Sequence, residues 1–284
     1  MTQELRLAVL IDADNVPKKY IKPVMEEIAV YGNPTLKRIY GDWTTPNLAK
    51  WKDVLLENAL TPIQQYSYTI GKNSTDSAMI IDAMDILYSG NVDGFCIVSS
   101  DSDFTRLAIR LREAGKKVIG LGERKTPAPF IVACDRFIYI EVLANQAAPQ
   151  PAAPVAAKQP KKKVSSPPSD SGKSGVAPDP LTAPAPAGEP AGKTKTPVPR
   201  DIIDYISQTI EDVGDDEGWA YLGEVGSLLQ KKRPDFDSRN YGYKKLSSML
   251  EGCGAFEVDF RGNSSNGKII YVRRRAGARD GSNS

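Results

Sequence analysis

Three short segments hold the carboxylates that could do chemistry in this chain. Asp12-Ala13-Asp14-Asn15 directly follows the apolar run Leu7–Ile11. Lys72-Asn73-Ser74-Thr75-Asp76 stands ahead of a stretch with helical spacing, and Ser99-Ser100-Asp101-Ser102-Asp103-Phe104 lies between another apolar run and another helical stretch. The chain contains 0 histidines, which excludes histidine acid–base catalysis and histidine-ligated metal. Hydrolytic chemistry would therefore run on carboxylates, with or without a hard cation. Crowded carboxylates raise one another's pKa values. A Mg²⁺ or Mn²⁺ ion removes that penalty and prefers oxygen ligands. The plainer reading is that Asp14 or Asn15, Asp76, Ser102 and Asp103 only cap helices.

Convergence of these segments needs a scaffold that brings them to one end. The apolar runs Leu7–Ile11, Leu36–Tyr40, Pro62–Tyr66, Phe95–Ser99, Val118–Leu121 and Phe137–Val142 read as strands. Stretches with one apolar face alternate with them: 17–31, 47–58, 77–89, 104–114 and a short 128–133. Pro17 stands where a helix takes its first residue, with Asp14 or Asn15 as the cap. Gly32, Gly90 and Gly115 stand where helices end. Such alternation predicts an α/β domain, a parallel sheet covered on both faces, whose ligands bind at the strand C-termini. Two of the acidic segments follow strands and the third opens a helix at the same end. Asp12, Asp76, Asp101 and Asp103 can thus converge. Asp82, on the helix after Asp76, is a further candidate.

The rest of the chain divides by composition. Residues 1–143 form the first predicted domain. Residues 144–199 are rich in Ala, Pro, Lys and Ser, lack aromatic residues and carry a basic excess; they read as a disordered linker. Residues 200–275 regain periodicity as three helices and a hairpin, a winged-helix-like α+β pattern, and 276–284 read as a disordered tail. The formal net charge of +2 singles out no partner. Three distant cysteines without a CxxC pair indicate neither a disulfide framework nor a zinc site. There is no signal peptide pattern and no membrane-spanning apolar run. The expected location is cytoplasmic, and no membrane partner is expected.

Leu10-Ile11-Asp12-Ala13-Asp14-Asn15, Lys72-Asn73-Ser74-Thr75-Asp76 and Val98-Ser99-Ser100-Asp101-Ser102-Asp103-Phe104 resemble, in order, the three motifs of NYN domains, a LabA-like branch of the PIN-like ribonucleases. The resemblance implies a Rossmann-like PIN-type sheet and Mg²⁺/Mn²⁺-dependent RNA cleavage. It places Asp12, Asp76 and Asp101 as metal ligands, with Asn15 and Asp103 in supporting catalytic roles. Residues 200–275 resemble an OST-HTH (LOTUS) module through Leu222-Gly223-Glu224-Val225, Arg233-Pro234-Asp235-Phe236 and Tyr241-Gly242-Tyr243-Lys244-Lys245-Leu246, which implies RNA or a protein as partner. Independently of that resemblance, Lys231, Lys232, Arg233, Arg239, Lys244 and Lys245 with Tyr241 and Tyr243 could form a basic, aromatic surface for single-stranded or structured RNA. Lys72 is a further RNA-contact candidate in the first domain. Three readings stay open at this point: a metal-dependent ribonuclease, a catalytically silent RNA-binding adaptor, and a haloacid dehalogenase-type phosphatase using Asp12-Ala13-Asp14. Assembly as a homodimer is also open.

Overall fold

Leu7 to Ile11 are fully buried because the strand they belong to lies inside a parallel sheet with helices on both faces. This computed structural model describes residues 4–66, 74–147, 197–262 and 268–275. In the first half, β1 (Arg6–Asp12), β2 (Asn33–Gly41), β3 (Thr61–Gln64), β4 (Gly94–Val98), β5 (Lys117–Gly122) and β6 (Arg136–Tyr139) pair in the order β3-β2-β1-β4-β5-β6, all parallel. The two-residue side-chain period of a strand divides β1 between two cores. Ala8 and Leu10 face one side, packed with residues of α3 (Ser74–Ser89), α4 (Thr105–Glu113) and α5 (Ala128–Ala133). Leu7, Val9 and Ile11 face the other, with α1 (Ile21–Ile28), α2 (Lys52–Glu57) and α6 (Ile140–Ala147).

The switch in winding direction falls between β1 and β4. Their C-terminal ends, Asp12 and Ser99, open where a doubly wound sheet binds its ligand. Helix termination follows simple rules here. Gly90 and Gly115, after α3 and α4, adopt φ of +71° and +74°, a conformation that costs glycine little.

Residues 200–275 build a second small core. It contains α7 (Arg200–Val213), β7 (Ala220–Tyr221), α8 (Leu222–Lys232), α9 (Leu246–Cys253), β8 (Phe256–Gly262) and β9 (Lys268–Arg274). The strands form an antiparallel sheet in the order β7-β9-β8. Ile202, Ile206, Val225, Leu229, Met249 and Phe256 close its interior. Among the described residues, no helix is long and apolar enough to cross a membrane.

Several boundaries differ from the sequence expectation. Ile140–Val142 were expected to extend β6, but they begin α6, whose Ile140, Val142 and Leu143 are buried. That helix runs to Ala147, beyond the expected start of the linker. Pro17 is itself the cap of a short 3-10 turn, with no side chain capping it, and the α-helix proper starts at Ile21. Ala220 and Tyr221 pair with β9 instead of opening α8. The third helix of the second core starts at Leu246 instead of Tyr243, after a 3-10 turn over Ser238–Tyr241. Nearly all of 144–199, the hairpin tip 263–267 and the tail lie outside the described residues.

Candidate metal centre

The first loop is organised by Asp12. Its carboxylate is 1 % exposed, and both oxygens are occupied. Oδ1 accepts the backbone N–H groups of Asp14 and Asn15 at 3.0 and 3.3 Å. Oδ2 accepts Asn15 Nδ2 at 2.6 Å and Ser99 Oγ at 2.9 Å. Burial raises the Asp12 pKa, and these donors only partly offset that rise. Asn15 and Asp14 therefore do not cap a helix; the loop winds around Asp12.

The second and third segments are both tied to this loop. Asp76 stands in the first turn of α3. Thr75 Oγ1 donates to Asp14 Oδ2 at 3.1 Å, tying the start of α3 to the first loop. Asp101 caps the 3-10 turn Ser102–Phe104 by accepting the Asp103 N–H at 2.9 Å. Its own N–H donates to Ser99 Oγ at 3.1 Å. Ser99 thus links Asp12 to the Asp101 loop. Its place between a buried strand and the acidic loop was visible in the sequence, but its role was not.

Asp76, Asp101 and Asp103 each offer a carboxylate oxygen, and these oxygens lie within 4.8 Å of one another. Asp76 is pushed up to about 6, first by burial and then by the charges of Asp12, Asp101, Asp103 and Asp14. A set of hard oxygen donors that repel one another fits a divalent cation such as Mg²⁺ or Mn²⁺. This grouping holds two of the three ligands implied by the motifs, Asp76 and Asp101. Asp12 is close enough for its charge to act on Asp76, but its oxygens are taken up in holding the loop. Asp103 joins Asp76 and Asp101 directly. Asp82 faces elsewhere: it accepts Arg38 and Tyr40 of β2 and pins the middle of α3 to the sheet. Lys72 lies outside the described residues. Beside the acidic loop, a cavity of about 340 Å³ is lined by Asp14, Asn15, Asn47, Trp51 and Lys125, among others.

Of the basic residues expected to form a surface on the second core, Arg239, Lys244 and Lys245 line one cavity. Lys231, Lys244 and Lys245 are exposed. Lys232 pairs with Asp212. Arg233 lies over the Tyr205 ring at 5.4 Å, Tyr241 packs against the core and Tyr243 is buried in it. Arg239 bonds Glu27 at 2.7 Å. A different face gathers aromatic and cationic groups. Arg261 lies 4.9 Å from the Trp219 ring centre and 4.6 Å from that of Tyr271, and Arg273 lies 4.5 Å from Trp219. Tyr221 stands 6.3 Å from Tyr271 and is 49 % exposed. Sequence reading missed this face because Trp219 and Tyr221 precede α8 while the arginines sit on the distant hairpin.

The NYN domain family matches residues 6–141, and the OST-HTH/LOTUS domain family matches 195–267. The chain carries an NYN domain followed by an OST-HTH/LOTUS domain. The six-stranded sheet is thus a PIN-like fold. An uncharacterized protein of Methanocaldococcus jannaschii is 28 % identical over 123 residues, covering 42 % of this chain and 48 % of that protein. The chain therefore spans about half the length of that curated relative. Among solved structures, a Vibrio parahaemolyticus protein of unknown function is similar at 21 % identity and a TM-score of 0.43, covering 49 % of this chain and 95 % of that one. An uncharacterized Nitrosomonas europaea protein reaches 36 % identity and a TM-score of 0.27, covering 36 % of this chain and 96 % of its own. A Chromobacterium violaceum fragment reaches 34 % identity and a TM-score of 0.23, with coverages of 29 % and 88 %.

Proposed function

We propose that this protein is a Mg²⁺- or Mn²⁺-dependent ribonuclease that hydrolyses RNA phosphodiester bonds, with its OST-HTH domain contributing RNA affinity. The grouping of Asp76, Asp101 and Asp103 oxygens within 4.8 Å, at the ligand-binding end of a PIN-like sheet, carries this reading. These three residues would hold the cation. When bound, it supplies positive charge at the scissile phosphate and lowers the pKa of a coordinated water. The chain's own groups supply position. Asp12 and Ser99 fix the two loops, Thr75 ties α3 to the first of them, and Asn15 holds Asp12 in place. The cavity beside Asp14 and Asn15 would give a nucleotide room next to the first loop, with Lys125 on its wall.

The phosphatase reading requires Asp12 as nucleophile. At 1 % exposure and with both oxygens accepting hydrogen bonds, Asp12 has no face left for attack. In the OST-HTH domain, the ladder Tyr221–Tyr271–Arg261–Trp219–Arg273 is the RNA-contact face we favour, since bases stack on aromatic rings and guanidinium planes. The three unpaired cysteines are in keeping with a reducing, cytoplasmic setting. Calorimetric titration of Mn²⁺ into the wild-type protein and into Asp101→Asn tests the site. Binding by the former that weakens at least tenfold in the latter is expected, and equal binding by both would remove the metal from the account.

A further inference from the structure

Strand β6 is the last strand of the parallel sheet, and its outer edge would normally present unpaired N–H and C=O groups to other chains. Here that edge is met by the OST-HTH domain. The Phe137 N–H donates to the Pro234 carbonyl at 2.9 Å. On one side of this bond, Tyr139 Oη donates to Asp235 Oδ2 at 3.0 Å. On the other, Arg136 Nη2 donates to Asp237 Oδ2 at 3.2 Å. Pro234, Asp235 and Asp237, around a turn closed by the Phe236 N–H on the Arg233 carbonyl, thus contact three residues of β6. Pro234 has no N–H, so the added segment gives one carbonyl at this point and offers no donor from that residue for further sheet growth.

A chain of alternating charges closes the contact. Arg239 forms two parallel bonds to Glu27 of α1, at 2.8 and 2.7 Å, and also bonds Asp237 at 2.7 Å. Asp237 accepts Arg136, whose guanidinium lies 5.0 Å from the Tyr31 ring centre, and Tyr31 Oη donates to Glu27 at 2.9 Å. The four charged side chains are 16 %, 11 %, 13 % and 19 % exposed for Arg239, Glu27, Asp237 and Arg136. Burial by itself would push Glu27 up, yet the bonds from Arg239 outweigh it and hold Glu27 below the usual carboxylate range. Charges buried this deeply are costly unless every partner is in place, and half of these partners belong to each domain. Bidentate arginine–carboxylate geometry adds orientation as well as attraction.

We propose that Arg233–Arg239 is an intramolecular docking element, which caps the open edge of the parallel sheet and holds the OST-HTH domain there as one body with the NYN domain. The position matters for the acidic site. Tyr139 pairs with Gly122, and Ser99, the residue after β4, bonds to Leu121 of β5. Tyr139 therefore stands level with Asp12, three strand spacings or about 14 Å along the sheet. If the chain cleaves RNA as proposed above, RNA held by the second domain is presented to the carboxylates by a fixed body.

The test is amide exchange in the full chain, which is independent of any activity. The Phe137 N–H points away from β5 toward Pro234, so its protection reports docking. In the wild type it should exchange slowly. Glu27→Arg places a cation against Arg239 and should speed exchange at Phe137 at least tenfold, while Cys96 and Ile97 inside β4 stay unchanged. Tyr139→Phe, nearly isosteric, should speed it less, and Glu26→Arg, one exposed position away, should leave it as it is. Fast Phe137 exchange in the wild type, or protection untouched by Glu27→Arg, would overturn the proposal. Protection that grows with protein concentration would overturn it too, because it would place the contact between two copies.

Discussion

In metal-free protein, Asp76→Asn should be stabilising at neutral pH. Asp76 is pushed up to about 6 from 3.8 by burial and by four neighbouring carboxylates. At about 1.36 kcal/mol per pKa unit, this corresponds to a ceiling of about 3 kcal/mol against the charged form. Solvent at the open mouth of the site screens part of it, leaving about 1.5 kcal/mol. Asparagine also forgoes the attraction of a carboxylate to the first turn of a helix, about 0.5 kcal/mol. The net gain is about 1 kcal/mol, or roughly 2–4 °C in melting temperature for a protein of this size. The sign follows from linkage. The folded pKa exceeds the unfolded one, so the native state binds the proton more tightly, and the wild type loses stability as pH rises from about 4 to about 6. Thermal melts in EDTA should therefore show the gain in full at pH 7.5 and none at pH 3.5. In Mn²⁺ the order should invert, because only the wild type gains from binding. A variant that melts below the wild type in EDTA at pH 7.5 would show that the carboxylates do not repel as described, and the electrostatic argument for a cation would fall.

Other outcomes follow from the same geometry. Asp101→Asn and Asp103→Asn should each lower Mn²⁺-dependent RNA cleavage about 100-fold or more, and the double variant should fall little further, as expected for residues acting as a unit. Ser99→Ala removes one of the four hydrogen bonds to Asp12 and leaves the Asp101 N–H without its Ser99 acceptor. It should cost about 1–3 kcal/mol in denaturant unfolding and reduce cleavage less than loss of Asp101 does. Trp219→Ala should weaken binding of single-stranded RNA by about 1–3 kcal/mol in fluorescence anisotropy while sparing cleavage at saturating RNA. Unchanged affinity would move that face to protein recognition.

The sheet was legible because its signals are local. The unbroken apolar run of β1 and the 3.6-residue periodicity of α1, α3 and α4 come from burial on two faces and on one. The ends were less legible. Ile140–Val142 are apolar and continue directly from β6, and only packing beneath α1 makes them helical. Convergence of the acidic segments could be argued from topology, but the division of labour among them could not. Asp12 and Asp101 both follow buried strands. What separates them is that Ser99 and Asn15 surround Asp12 with donors while Asp101 faces Asp76 and Asp103. The role of Asp82 depended on Arg38 and Tyr40, forty-odd residues away. In the OST-HTH domain the basic residues were read as one surface from their nearness in sequence; Arg239, Lys244 and Lys245 do line one cavity, while Lys232 pairs with Asp212 and Arg233 lies over the Tyr205 ring.

The central claim, that Asp76, Asp101 and Asp103 hold a cation which cleaves RNA, is tested most directly by single-turnover cleavage of end-labelled RNA. The full chain and Asp101→Asn should be compared in Mn²⁺ and in EDTA, with binding of the same RNA followed in parallel. The account predicts cleavage by the wild type in Mn²⁺ alone, lost about 100-fold or more in the variant while RNA is still bound. Cleavage that survives EDTA, full activity in Asp101→Asn, or RNA that is bound and never cut would contradict it.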